Sequence, residues 1–234
     1  VMPRKWILLL AVAAFITTSP ASIRAWELRG DSIHPASLPF PSREISPFDR
    51  VDFDSDGVYE RLEVIEGHAR ILTGDVLRWQ SPPSWDVRQA ALGDLNRDGS
   101  IEAVLLVWRP FKPWPVDQWL PSGGRIAEFQ DAQGESCHII LIGWHRAEFT
   151  ERWAGSALAE PIRSFALADM NQDGFDELVA LESIYESTAA SPANALKIWE
   201  WNGFGFSLVS EQKGYFSDLK VLNASDRNPI LVTP

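Results

Sequence analysis

Apolar residues along this chain come in short runs separated by acidic, glycine-containing turns. Residues 103–108 (Ala-Val-Leu-Leu-Val-Trp) are apolar throughout and read as a strand covered on both faces. Similar runs at 87–92, 137–144 and 148–153 make a group of four. A second group occupies 163–168, 177–184, 195–201 and 206–210, with an Asn202-Gly203 hairpin turn before its last member. A third occupies 48–53, 61–65, 68–72 and 76–79, with a turn at Gly74-Asp75. Two further runs, 216–222 and 229–233, start a group that the chain ends without completing. The pattern predicts an all-β protein in sets of four strands, the middle set interrupted by a Pro- and Trp-rich insertion at 109–136.

The first and second runs of each complete set are joined by the same loop. It reads Asp52-Phe-Asp54-Ser-Asp56-Gly-Val58-Tyr-Glu60, then Asp94-Leu-Asn96-Arg-Asp98-Gly-Ser100-Ile-Glu102, then Asp169-Met-Asn171-Gln-Asp173-Gly-Phe175-Asp-Glu177. Oxygen-bearing side chains fall at positions 1, 3, 5 and 9, and glycine at position 6 permits a sharp turn. Position 7 (Val58, Ser100, Phe175) offers a backbone carbonyl. A hard divalent cation such as calcium takes six to eight oxygens in a wrapped loop of this kind, so about three calcium sites are expected. The bland alternative is three solvated turns of Asp, Asn and Gly. An EF-hand is excluded because position 12 holds the required glutamate only in the first loop (Glu63), with Leu105 and Ala180 in the others, and because the flanks read as strand. A degraded copy over 222–230 keeps only Asp226 and is expected to bind no metal.

Strand, acidic loop and apolar strand together resemble the FG-GAP or VCBS repeat, the calcium-binding β-propeller repeat also seen in integrin alpha chains. The resemblance covers residues 48–234, although the Phe-Gly and Gly-Ala-Pro signature of that repeat has at best a faint relative in Gly203-Phe-Gly-Phe206. It implies a propeller-like array of four-stranded blades, about three and a half to four of them, with calcium structural in the loops. Three arrangements remain open: a small propeller completed by the N-terminal segment, an array completed by self-association, or a truncated product.

The N-terminus changes the picture. Arg4-Lys5 precedes an apolar stretch over 6–16 and then small residues, the make-up of a cleavable signal peptide over 1–25, with cleavage after Ala21 or Ala25. The apolar stretch is too short to span a bilayer, so a secreted or extracytoplasmic protein is expected. Residues 26–47, with Pro35, Pro39, Pro41 and Pro47, read as an irregular lead-in. The lone Cys137 cannot form an internal disulfide, so stability must come from the core and from metal. A net charge of −11 excludes an electrostatic footprint for nucleic acid.

Chemistry beyond the loops is sparse. No metalloprotease, serine-hydrolase or phosphate-loop motif occurs, and His138 and His145 fall on opposite faces of one strand, so no enzyme is expected. The 11 Trp point instead to packing between sheets and, at Trp114 and Trp119 in the insertion, to an aromatic binding surface. Two functions follow: an extracellular interaction or adhesion module, or a lectin-like protein that reads a surface glycan. A hydrolase on the same scaffold ranks below both.

Overall fold

A computed structural model describes residues 23–38, 43–44, 49–113, 128–188, 191–224 and 227–233. These residues are all-β, arranged as four antiparallel sheets. The first sheet runs β4 (Arg50–Val51), β5 (Glu60–Ile65), β6 (His68–Thr73), β7 (Val76–Gln80). The second runs β8 (Asp86–Gly93), β9 (Glu102–Pro110), β10 (Glu135–His145), β11 (Glu148–Ala154). The third runs β12 (Ile162–Ala168), β13 (Glu177–Glu182), β14 (Ala193–Trp201), β15 (Phe206–Phe216). Each acidic loop therefore joins the first and second strands of a sheet, as the pattern predicts. No helix among the described residues is long and apolar enough to cross a membrane.

The apolar runs are explained by stacking. Along β9, Ala103, Leu105 and Val107 share a core with Leu62, Ala69 and Ile71 of the first sheet. The alternate residues Val104, Leu106 and Trp108 share another with Phe165, Leu178 and Ala180 of the third. Successive side chains of a strand point to opposite faces, so a strand between two sheets must be apolar at every position. The third sheet repeats this: Leu178 and Ala180 face the second sheet, while Val179 and Leu181 join Trp26, Leu28, Val221 and Leu231 of the fourth. Among the described residues no core cluster joins the first sheet to the fourth.

The fourth sheet corrects the sequence reading. Its order is β2-β1-β17-β16-β3, from β1 (Arg24–Arg29), β2 (Ser32–Ala36), β3 (Arg43–Glu44), β16 (Lys220–Ala224) and β17 (Arg227–Thr233). The described part of 26–47 is thus strand as well as connection, and the N-terminal strands complete the set that the C-terminal strands begin. Trp26 and Leu28 occupy alternate positions and both are buried. Pro35 is tolerated because β2 is an edge strand, with no ladder partner on its outer side among the described residues. Arg24 and Ala25 pair with Thr233 and Val232, so cleavage after Ala25 would cut into β1, whereas cleavage after Ala21 leaves it whole.

Smaller differences have local causes. The last strand of the third set continues to Phe216, whose ring meets Trp26 edge-on at 6.1 Å, so the fourth set begins at Lys220 and not at 216. The β14–β15 turn spans Asn202 to Gly205, with the Asn202 side chain accepting the N–H groups of Phe204 and Gly205. β9 extends to Pro110 and β10 starts at Glu135, which shortens the insertion. Trp114 and Trp119 lie outside the described residues, as do Asp226 and residues 1–22.

Trp26 ties the termini together. Its indole N–H donates to Thr233 Oγ1 at 2.9 Å, and the ring is buried against Phe216. Trp26→Ala should lower the unfolding free energy by about 3–5 kcal/mol, and Thr233→Val by about 1 kcal/mol. Urea denaturation measures both, and a near-neutral Trp26→Ala would remove β1 from the folded core.

Candidate metal centres

The three acidic loops adopt one conformation. The position-1 carboxylate accepts two backbone N–H groups: Asp52 from Asp56 (3.1 Å) and Gly57 (2.9 Å), Asp94 from Asp98 (3.0 Å) and Gly99 (2.9 Å), Asp169 from Asp173 (3.1 Å) and Gly174 (3.0 Å). The position-5 carboxylate accepts the N–H of position 7, with Asp56 to Val58 at 2.8 Å, Asp98 to Ser100 at 2.9 Å and Asp173 to Phe175 at 2.9 Å. Gly57, Gly99 and Gly174 have φ of 86°, 85° and 91°, the left-handed region that favours glycine.

Two recurring features escape a motif reading. Position 4 is also left-handed, at Ser55 (φ 59°), Arg97 (58°) and Gln172 (63°), so a non-glycine residue carries strain in every copy. Position 2 is apolar in each loop (Phe53, Leu95, Met170), and Leu95 and Met170 are fully buried, pinning the loop to the core. That apolar position was visible in the sequence as the one non-polar residue ahead of the glycine.

The carboxylate at position 9 opens the second strand of its sheet and is buried: Glu60 is 1% exposed, Glu102 and Glu177 0%. Glu60 accepts the N–H of Phe53 (3.1 Å) and the hydroxyl of Thr73 (3.0 Å). Glu177 accepts the N–H of Met170 (2.8 Å) and the Asn171 amide (3.3 Å). Glu102 accepts only the Asn96 amide (3.0 Å), and its Oε2 is buried without a partner. Burial, then the charges of Asp98 and Asp94, push the Glu102 carboxyl up to about 8. Burial and Asp173 push Glu177 up to about 7, against the pull of the Met170 N–H and Arg97.

Ligand oxygens converge most clearly in the first loop, where those of Asp52, Asp54 and Glu60 lie within 4.8 Å of one another. Two ligands on opposite sides of a calcium ion at about 2.4 Å each are separated by that distance. In the other loops the Asn side chain bridges positions 5 and 9: Asn96 reaches Asp98 (3.4 Å) and Glu102, and Asn171 reaches Asp173 (3.2 Å) and Glu177. An arginine approaches every loop. Arg78 lies 3.9 Å from Asp54, Arg152 lies 3.5 Å from Asp98, and Arg97 meets both Asp173 and Glu177.

No family model matches this chain, and no match is found among curated proteins or solved structures.

Away from the loops, Cys137 is fully buried and burial pushes its thiol up to about 12, which suits packing and not nucleophilic attack. A cavity of about 630 Å3 between the second and third sheets is lined by Trp153, Trp199, Phe206, Glu160, Glu182 and Lys197. The Glu182 carboxylate there accepts from Lys197 Nζ at 2.9 Å and from Trp199 Nε1 at 2.7 Å. Lys197 also pairs with Glu160.

The buried glutamates give metal-free protein a defined pH response. The folded values of Glu102 and Glu177 lie above the ordinary 4.5, so the fold binds protons that the unfolded chain has released. Stability is then full below about pH 4.5 and is lost as pH rises through about 7 to 8. In chelator the melting midpoint should fall between pH 5 and 9, Glu102→Gln should flatten that fall, and a divalent cation should abolish it. A midpoint independent of pH in chelator would contradict the burial argument.

Proposed function

We propose that the chain is an extracytoplasmic calcium-binding β-propeller protein of the FG-GAP or VCBS kind, acting as an interaction or adhesion module. The observation that carries this reading is the threefold recurrence of one loop conformation at one place in three sheets, each with a buried glutamate beside further acids. Solvated turns have no need to bury a carboxylate at the strand start, and burial without a counter-charge is costly. Propeller geometry is supported by the sets of four strands, by β12 packing beside both β8 and β16, and by the N-terminal strands completing the last sheet. Calcium is structural in this reading, since the loop itself supplies the ligands. The exposed apolar side chains of the first sheet, Val64, Ile65, Val76 and Leu77, supply surface for a protein partner.

A lectin-like reading also has a specific observation. The cavity lined by Trp153, Trp199 and Phe206 combines aromatic faces with charged hydrogen-bonding groups, the mixture that holds a sugar ring. The carboxylates there, Glu160 and Glu182, are engaged by Lys197 and Trp199, which favours binding over hydrolysis.

Thermal melts in chelator and after return of calcium, with magnesium as control, test the first reading. Calcium at a hundred times its dissociation constant should add about 2.7 kcal/mol per occupied site, and Asp94→Ala should remove one site's share. No calcium-specific rise would leave the loops as turns. A glycan array separates the second reading: Trp199→Ala should abolish retention of a bound glycan while leaving the calcium response intact.

A further inference from the structure

Arg97 occupies position 4 of the second loop, yet its side chain is spent on the third. Its Nη2 donates to Glu177 Oε1 at 3.0 Å, its Nη1 donates to Glu200 Oε1 at 3.0 Å and lies 3.5 Å from Asp173 Oδ2. The guanidinium carbon sits 5.0 Å from the Phe175 ring centroid. One cation thus meets the carboxylates at positions 5 and 9 of the third loop, groups that a metal ion would use, and lies against the ring at position 7. The side chain is only 19% exposed, and Glu177 is 1% exposed, so this is a desolvated ion pair and not a surface contact.

The other two loops lack such a partner. Arg78 lies 3.9 Å from Asp54 and Arg152 lies 3.5 Å from Asp98, and neither pairs with the buried glutamate of its loop. In the first loop three carboxylates crowd one another. In the second, Glu102 keeps a bare, buried Oε2. Among the described residues neither glutamate is ion-paired, Arg152 acting on Glu102 only from a distance, whereas the third is.

We propose that Arg97 is the resident cation of the third loop, so that calcium enters the first and second loops while the neighbouring guanidinium holds the third closed. The proposal rests on the calcium reading for the first two loops. A metal entering the third would have to displace Arg97 from Glu177 and Asp173, leaving a mostly buried guanidinium with Glu200 alone. Removing one partner of a buried pair is strongly unfavourable. The two loops also become linked. Arg97 takes its left-handed φ from the second loop's turn, so calcium that fixes this turn also fixes the clamp on the third.

Equilibrium dialysis with calcium should find two ions bound to the wild-type chain and three to Arg97→Gln. The third ion should be lost again in Arg97→Gln with Asp169→Ala. Affinity at the third loop should rise roughly a hundredfold on losing Arg97, and Arg97→Lys should keep the count at two. Three ions in the wild type, or two in Arg97→Gln, overturn the proposal. If calcium binds neither chain the calcium reading fails, and the clamp is judged separately by melts in chelator. There, Arg97→Gln should lower the midpoint, and Glu177→Gln should suppress that drop. Additive effects of the two substitutions would overturn the clamp as well.

Discussion

Everything in this protein's polar architecture turns on how buried carboxylates find positive charge. Three of its sheets start their second strand with a glutamate, and Glu60, Glu102 and Glu177 are all sealed from solvent. β9 and β13 are covered on both faces and leave Glu102 and Glu177 no polar side to turn to, while Glu60 falls on the covered face of β5. The acidic loop ahead of each glutamate adds more negative charge to the same spot. Backbone N–H groups absorb part of it, through the turn at positions 5 to 7. The remainder needs a cation: arginines drawn from other strands or loops supply part of it, and on the calcium reading proposed above a metal ion would supply the rest.

The same stacking that buries these glutamates sets the hydrophobic pattern. β9 and β13 have neighbours on both sides, so residues 103–108 and 178–181 are apolar without a break. β5 has one covered face and keeps Arg61 and Glu63 on the other, joined as an ion pair. The first sheet is thus distinguishable from the second and third by sequence alone. The fourth sheet gains its cohesion differently, from strands contributed by opposite ends of the chain. Ile33 adds to this, its N–H donating to Ser210 Oγ at 3.0 Å and linking β2 to the third sheet. Pairing β1 with β17 makes this sheet depend on contacts between segments some two hundred residues apart, and non-local pairing of that kind slows folding.

Much of this was legible in the residues. Strand positions follow from the apolar runs, and the loops follow from acid spacing and glycine, because both signals are local. β1 and β2 were not legible. Their proline content suggests loop, and what overrides it is pairing with a strand some two hundred residues away, which no local pattern carries. Arg97 was equally hidden. At position 4 it looks like any solvated loop residue, and its role exists only because the second and third sheets stack with their loops side by side. Glu60, Glu102 and Glu177 stand out in the sequence as candidate ligands, but their burial does not, since a glutamate beginning a strand gives no sign of which neighbour will cover it.

The arginines bear on what a metal would do for the fold. A loop whose glutamate is already paired gains little from calcium, whereas one with a bare buried oxygen gains much. The second loop lies between these cases, because it both needs a cation and supplies one. Its own glutamate has no ion-pair partner among the described residues, while its arginine pairs with Glu177 next door. Charge is therefore balanced across neighbouring loops and not within each. A metal ion at the second loop would complete the chain of compensation, with calcium on Glu102 and Arg97 on Glu177. On this argument the second loop, at the centre of the stack, is where binding and folding are most tightly joined.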